Sequence, residues 1–442
     1  MYFSTIAVKM ERKIMNELIQ RKNSIRRKPL ILEWARQVGK TYILQEFWKS
    51  YFKNVAYINF QDYKWNVGLI FKEDLDPIRI ISEIKILTWV NIVPNDTLII
   101  FDEIQEEPRA LTSLKYFCEN APEYCVVAAW SLLWLSLHHW ASFPVGKVDS
   151  LNMSPMDFEE FLWANWKKDM VEYLKKWDLN KSAFDWELYD LFKKYVFIWW
   201  MPEVVNDWIL YQDVNSVNKI QTNIIENYKK DFDKHTDTKD MAIRIREVFN
   251  NIIPQFAKEN TKFFYWTIRT WARAKDYELA IEWLIDAGIV KKVYNVQIWN
   301  RIPLSAHVNF QNFKLYLLDI WLVRNIAEIS YKTIMDSEEI FSTFNWLITE
   351  QFVLQQMSNH KLYYWTSVHN EVDFITQIDD RIIPIEVKSW LNLQSKSLKA
   401  FREMCKPEVS VRFSLQKTKY EDWLLELTLY KCFLFDSIIS KI

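Results

Sequence analysis

Apolar residues over the first third of the chain fall in short unbroken runs. Leu30-Ile31-Leu32 (after Pro29), Val55–Phe60, Thr97–Phe101 and Tyr124–Ala129 show no alternation of polar with apolar positions, and longer helical stretches separate them. Strands of that kind are buried on both faces, which predicts a parallel sheet covered by helices. Residues 11–150 are therefore expected to form an α/β domain, entered through a charged helical segment at 11–24. From about 155 the periodicity becomes that of helix after helix. Met241–Ala257, Tyr265–Ala274 and Tyr277–Ala287 read as short helices. Strands at Val290–Val296 and Pro303–Val308 follow, around a turn at Trp299-Asn300-Arg301. Three helices and a hairpin is the winged-helix pattern, so 151–310 is expected to be a helical and winged-helix middle region. Residues 311–442 return to mixed α/β, with a helix at 345–358, strands at 362–366, 371–377 and 382–388, a helix at 394–405 and a strand at 409–414.

Charge and cysteine usage narrow the class. Lys and Arg nearly balance Asp and Glu, for a net charge of −1, which excludes a globally basic nucleic-acid coat while leaving local patches open. No apolar run reaches the 18 or so residues of a membrane span. The N-terminus lacks the charged, apolar and small-residue sequence of a signal peptide, and a cytoplasmic protein starting at Met10 is expected. Cys118, Cys125, Cys405 and Cys432 have no metal-ligand or redox spacing and read as reduced thiols.

The candidate chemistry begins after the first strand. Trp34-Ala35-Arg36-Gln37-Val38-Gly39-Lys40-Thr41 is GxxxxGK[ST] except at its first residue, and it stands between a strand and a helical stretch. In such a loop backbone N–H groups and the helix N-terminus cradle phosphates. Lys40 would reach the β- and γ-phosphates, and the Thr41 hydroxyl would ligate Mg²⁺. Leu98-Ile99-Ile100-Phe101-Asp102-Glu103 is an apolar strand ending in adjacent acids. Asp102 would hold the Mg²⁺ shell and Glu103 would polarise an attacking water. A further apolar strand ends at Trp130-Ser131.

These motifs, followed by WSLLWL, FPVGKV, SPMDFEEFLWA, IWWMPEVV (198–205), NYKKDFDKH (227–235) and FKLYLLDIWLV (313–323), resemble the bacterial and archaeal AAA-type P-loop ATPases that carry a C-terminal domain of unknown function. The resemblance covers nearly the whole chain. It implies an ATPase domain over 11–150, ATP and Mg²⁺ as ligands, ATP hydrolysis, Ser131 as a polar γ-phosphate sensor, and assembly of copies in which an arginine near the end of that domain acts in trans. Gly146-Lys147 stand at that point here, and a lysine cannot reproduce the planar guanidinium fork.

Toward the C-terminus, Glu350 on a helix, Asp373 on one strand and Glu386-Val387-Lys388 on the next resemble the PD-(D/E)xK nuclease core. The expected fold over 311–442 is thus restriction-endonuclease-like. In that core Asp373 and Glu386 would bind Mg²⁺, Lys388 would orient water and Glu350 would support from the helix. The period of two puts Glu386 and Lys388 on one strand face. Lys396, Lys399 and Arg402 share a helical face, with Lys406 following, as a backbone-phosphate patch or simply a solvated surface. The leading function is an ATPase coupled to this module. The alternatives are a Mg²⁺-dependent nuclease gated by ATP, and a nucleotide-responsive module that binds DNA or protein. None of the six histidines, among them His138, His139, His235 and His369, completes a metal or catalytic set.

One count is out of line: 4 glycines against 23 tryptophans. Ordinary glycine usage near 7% would give roughly 30. The tryptophans fall where glycine is needed. Trp34 opens the phosphate loop, Trp166, Trp186, Trp346 and Trp423 follow Asn or Asp, and Trp299 precedes Asn. Trp199, Trp200, Trp321 and Trp390 occupy glycine positions of the resembled family, and Trp130 is counted with them as a glycine. Trp163, Trp208, Trp283 and Trp365 suit their surroundings as aromatics. The pattern is that of a UGA codon read as glycine in the source and as tryptophan here. The rival reading is a Trp-rich pseudo-ATPase.

Overall fold

Five parallel strands organise residues 11–155, one of two units into which the chain divides. They are β1 Leu30–Trp34, β2 Asn54–Asn59, β3 Thr97–Asp102, β4 Cys125–Ser131 and β5 Asp149–Met153, in the spatial order β2-β3-β4-β1-β5. This arrangement is typical of P-loop ATPases. The computed structural model describes residues 10–34, 39–62, 67–131, 143–177, 183–198, 201–234, 236, 238–257, 262–297, 301–336, 345–388 and 396–442.

Every residue of β3 is buried, as expected of a strand inside a sheet covered on both faces. Helices Lys40–Tyr51, Pro77–Thr88 and Pro108–Asn120 connect the strands. Two of them start by the same device. Asp76 and Glu107 each accept a backbone N–H of the first turn, from Ile78 at 3.2 Å and Arg109 at 3.2 Å, and each is followed by proline. Proline has no N–H to leave unpaired there, and an acid at the N-cap complements the helix dipole. The core is Ile80, Ile84, Leu111, Leu114 and Phe117 from the helices against Ile31, Ile99, Phe101 and Val126 from the sheet. Burying each such side chain contributes about 1.5–3 kcal/mol. The strands extend one or two residues past the apolar runs, so that Asp102 and Ser131 close β3 and β4. The edge strand β5 (DSLNM) has no apolar run and escapes a hydrophobicity reading.

The second unit pairs a helical stretch with an eight-stranded mixed sheet, ordered β12-β13-β11-β10-β9-β8-β6-β7. Its strands are β6 Val290–Val296, β7 Val308–Leu317, β8 Leu362–Thr366, β9 Glu371–Ile378, β10 Arg381–Val387, β11 Ser410–Ser414, β12 Lys419–Glu421 and β13 Leu424–Thr428. Strands β8, β9 and β10 are successive antiparallel neighbours, and β10 pairs β11 in parallel. The helix Asn345–Gln356 precedes this series and Lys396–Cys405 lies between β10 and β11.

Two expected elements of the middle region are corrected. Tyr265–Ala274 is not a helix but a single 3₁₀ turn at Tyr265–Thr267 followed by tight turns. The β-branched Thr267, Ile268 and Thr270 disfavour a helix, and Trp271 adopts a left-handed φ of 72°. Pro303–Val308 is a 3₁₀ turn at Leu304–His307, and the strand is Val308–Leu317. Proline cannot donate to a ladder. Strand β7 pairs antiparallel with β6, and β6 pairs β8 in parallel, so both belong to the large sheet. Residues 298–300, the expected turn, lie outside the described residues. Among the described residues no helix is long and apolar enough to cross a membrane.

Candidate functional site

Strand β1 delivers the chain to the carboxyl edge of the first sheet, where Trp34 lies in register with Ser131 on one side and Met153 on the other. Ala35, Arg36, Gln37 and Val38 lie outside the described residues, as do the side chains of Trp34 and Ser131. The backbone resumes at Gly39, with φ 87° and ψ 30°, as the N-cap of the helix Lys40–Tyr51. A side chain at that φ would be strained, so glycine is required here. The helix begins at Lys40, with Thr41 exposed on its first turn.

Lys40 reaches back to the end of β3. Its Nζ lies 3.0 Å from Asp102 Oδ1 and forms an ion pair with Glu103 Oε1. Asp102 is buried, and its two oxygens are engaged differently. Oδ1 also accepts the Glu103 N–H at 3.1 Å, while Oδ2 accepts the hydroxyl of Tyr57 on β2. Burial, then the hydrogen bond to Asp102 and its charge, raise the Tyr57 phenol well above its ordinary range, so it stays a donor. Glu103 stands just past the strand in a left-handed conformation, φ 54° and ψ 46°. That conformation costs a non-glycine residue of order 1–3 kcal/mol and clusters at functional sites. Gln105 Nε2 donates to Glu103 Oε2 at 2.6 Å, fixing the carboxylate's second oxygen.

Lys40, Asp102 and Glu103, singled out by the motifs, lie together at one edge of the sheet, and Tyr57 and Gln105 stand beside them without having been expected. Tyr57 lies in the middle of its strand run, exposed between buried Ala56 and Ile58. Gln105 sits in the 3₁₀ turn Ile104–Glu106 after the acidic pair. An ammonium, two carboxylates and a helix N-terminus at one sheet edge can hold an anion beside a hard cation. The donor set of Thr41 and Asp102, hydroxyl and carboxylate oxygen, suits Mg²⁺.

The C-terminal candidates come together on the second sheet. Asp373 Oδ2 accepts the Val387 N–H at 2.7 Å. The antiparallel register of Phe374 with Ile385, carried on by one residue, sets Glu386 beside Asp373. Lys388 Nζ lies 2.9 Å from Glu386 Oε1. Glu350 is buried and accepts the Tyr316 hydroxyl at 2.9 Å. The sequence reading missed Tyr316, Lys314 and Glu371. Lys314 is buried on β7 and ion-pairs with Glu371. Burial opposes its charge, but Glu350, Glu371 and Asp373 more than offset that and hold it above the ordinary lysine range. Among the described residues no group of three or more His, Cys, Asp or Glu is placed to hold a metal ion. Lys396, Lys399 and Arg402 are all exposed, and the Arg402 guanidinium lies 4.6 Å from the Trp423 ring centre. His360 pairs with Asp436 at 2.8 Å, and His138, His139 and His235 lie outside the described residues.

Burial, with Asp373 and Glu371 adding to it against the opposing charge of Lys314, pushes Glu350 from 4.5 up to about 8. Between those values the folded chain keeps a proton that the unfolded chain has lost. Stability from this group is therefore full below pH 4.5 and falls as pH rises through about 8. Glu350→Gln keeps an acceptor for Tyr316. It should melt above the parent in buffers more alkaline than about pH 8 and with the parent in buffers more acid than pH 4.5. A variant melting below the parent in alkaline buffer would show that the ionised carboxylate is what the fold uses.

Residues 26–162 match the family described as AAA domain, which supports an AAA-type P-loop ATPase. Residues 189–333 match a domain of unknown function, DUF8612, and 347–430 another, DUF4143. No curated protein matches the chain significantly. Among solved structures, the chain is similar to the Walker-type ATPase PABY2304 of Pyrococcus abyssi, at 11% identity and a TM-score of 0.44, over 73% of this chain and 96% of that one. It is also similar to Cdc6p of Pyrobaculum aerophilum, at 13% identity and 0.28 over 66% and 90%. The RuvB Holliday junction branch migration motor of Thermotoga maritima gives 13% and 0.30 over 64% and 89%. All three likenesses are loose.

Proposed function

We propose that the chain binds and hydrolyses ATP at the edge of the five-stranded sheet. The observation that carries this reading is Lys40, at the start of a helix that follows β1, held against both Asp102 and Glu103 at the end of β3. The phosphates of ATP would settle on the helix N-terminus and compete with the two carboxylates for the Lys40 ammonium. Lys40 leaving Glu103 frees that carboxylate to take a proton from the attacking water, with Gln105 keeping its orientation. Thr41 and Asp102 would hold Mg²⁺, which supplies charge neutralisation on the phosphoryl oxygens. Tyr57 keeps Asp102 facing the site, and Ser131 at the end of β4 would sense the γ-phosphate.

Glu103→Gln tests this directly. The amide keeps the shape and can still be held by Gln105, but it cannot accept a proton. Turnover should fall by about 10²-fold or more, with ATP binding retained in equilibrium dialysis. A variant that hydrolyses ATP at the parent's rate removes Glu103 from the mechanism.

The reading includes glycine at position 34 in the protein that the source organism makes. Support comes from tryptophans elsewhere in the chain. Trp89, Trp166 and Trp271 have φ of 57°, 58° and 72° and are 91%, 73% and 86% exposed. Trp89 caps the helix Pro77–Thr88 and Trp166 follows the helix Phe158–Ala164. Glycine is the usual residue past a helix end. Asp422-Trp423 connects antiparallel β12 and β13, with Asp422 at φ 53°, where Asp-Gly is a common pair. Trp130 and Trp321, which the sequence reading also counted as glycines, are instead fully buried. The recoding proposal therefore rests on the turn positions and not on these two. Trp208, Trp283 and Trp365 are buried in aromatic clusters, as expected of true tryptophans. The C-terminal unit would act as the effector end, engaging DNA or a protein in response to nucleotide.

A further inference from the structure

We propose that the C-terminal carboxylate cluster carries its own cation, the Lys314 ammonium delivered from β7, and takes no divalent metal. Likeness to the nuclease core would have Asp373 and Glu386 share a Mg²⁺ with support from Glu350. For that the carboxylate oxygens must converge on one point, leaving several positions of an octahedron to water. Here the acids are drawn to separate partners. Asp373 takes the Val387 N–H at 2.7 Å, Glu386 the Lys388 ammonium at 2.9 Å, Glu350 the Tyr316 hydroxyl at 2.9 Å and Glu371 the Lys314 ammonium.

Lys314 and Tyr316 stand two positions apart on β7 and so project from the same face of the sheet. That strand lies outside the β8–β11 series that resembles the nuclease core, so the core's own residues do not reveal it. Lys314 is buried, with its ammonium 5.3 Å from the Tyr364 ring centre. A buried ammonium is tolerated only beside compensating negative charge. Conversely, the fixed positive charge of Lys314 opposes a second cation arriving among these acids from solvent. The cluster is thereby partly neutralised from within, and the module recognises or transmits without cutting phosphodiesters.

The test uses the full chain without nucleotide and Mn²⁺ as probe, with bound ion read by electron paramagnetic resonance. Any Mn²⁺ held at the sheet edge near Asp102 is common to all variants, so failure of the ATPase reading leaves this comparison intact. The parent and Asp373→Asn should bind the same amount of Mn²⁺. Lys314→Met, which keeps most of the stem's volume, should gain about one bound Mn²⁺ per chain, lost again in Lys314→Met/Asp373→Asn. Stoichiometric Mn²⁺ on the parent that Asp373→Asn abolishes overturns the proposal. So does a folded Lys314→Met protein that gains none. Should Lys314→Met not fold, the parent and Asp373→Asn comparison alone still decides.

Discussion

Trp34→Gly is expected to tighten ATP binding by about 10- to 100-fold. The residue closes β1, in register with Ser131 and Met153, and the phosphate loop begins at once beyond it. The first residue of GxxxxGK[ST] has to make a tight turn and let the backbone approach phosphate, which favours a residue without a Cβ. Crowding a bound phosphate with a Cβ and a ring costs about 1–3 kcal/mol, the usual size of an overpacking penalty, and each 1.4 kcal/mol is tenfold in a dissociation constant. Fluorescent nucleotide titration of the tryptophan and glycine forms measures the difference. Equal affinities would mean that residue 34 takes no part in shaping the loop, and the pseudo-ATPase reading would gain.

The second large effect is on stability, and its sign is the informative part. Removing a large aromatic normally destabilises. Trp89→Gly, Trp166→Gly and Trp271→Gly should do the opposite, because each indole is exposed and each backbone is left-handed. The αL conformation costs a residue with a Cβ about 1–2 kcal/mol, and glycine recovers most of that while giving some back as unfolded-chain entropy. The three stand in separate elements, so their gains should add, to about 2–4 kcal/mol together. Trp283→Gly is the control. Trp283 is buried against Phe232, and emptying such a site costs about 3–5 kcal/mol. Denaturant unfolding of the triple variant and the control should move in opposite directions. Destabilisation by all four would show that the tryptophans at turns are native. The codons give an independent reading: UGA at positions 34, 89, 166 and 271 and UGG at 208, 283 and 365.

The sheet edge was legible because its inner strand β3 is buried along its whole length and, like the start of β1 and most of β4, leaves an unbroken apolar run. Those runs end just before Asp102 and Ser131, the polar residues that close β3 and β4. Edge elements leave weaker traces. The strand Asp149–Met153 carries polar residues at alternate positions, and the edge strand Lys419–Glu421 is only three exposed residues long. The helix expected at Tyr265–Ala274 failed because spacing of apolar residues says nothing about a backbone that must turn left-handed at Trp271. Motif spacing found Glu350, Asp373, Glu386 and Lys388 but could not find Lys314. Nothing local distinguishes a lysine that crosses to Glu371 from one that faces water. Only the sheet order, which folds β6 and β7 against β8, brings it to the cluster. Tyr57 was hidden for the same reason, since its partner Asp102 is a neighbour across strands and not along the chain.

Lys40, Asp102 and Glu103 are proposed to form an ATP-hydrolysing site. Its most direct test is steady-state phosphate release from saturating ATP and Mg²⁺ by the full chain carrying glycine at position 34, alone and with Glu103→Gln. The first protein should turn over ATP and the second should not, with ATP still bound to both. No turnover by the glycine-34 protein, or turnover that survives Glu103→Gln, contradicts it.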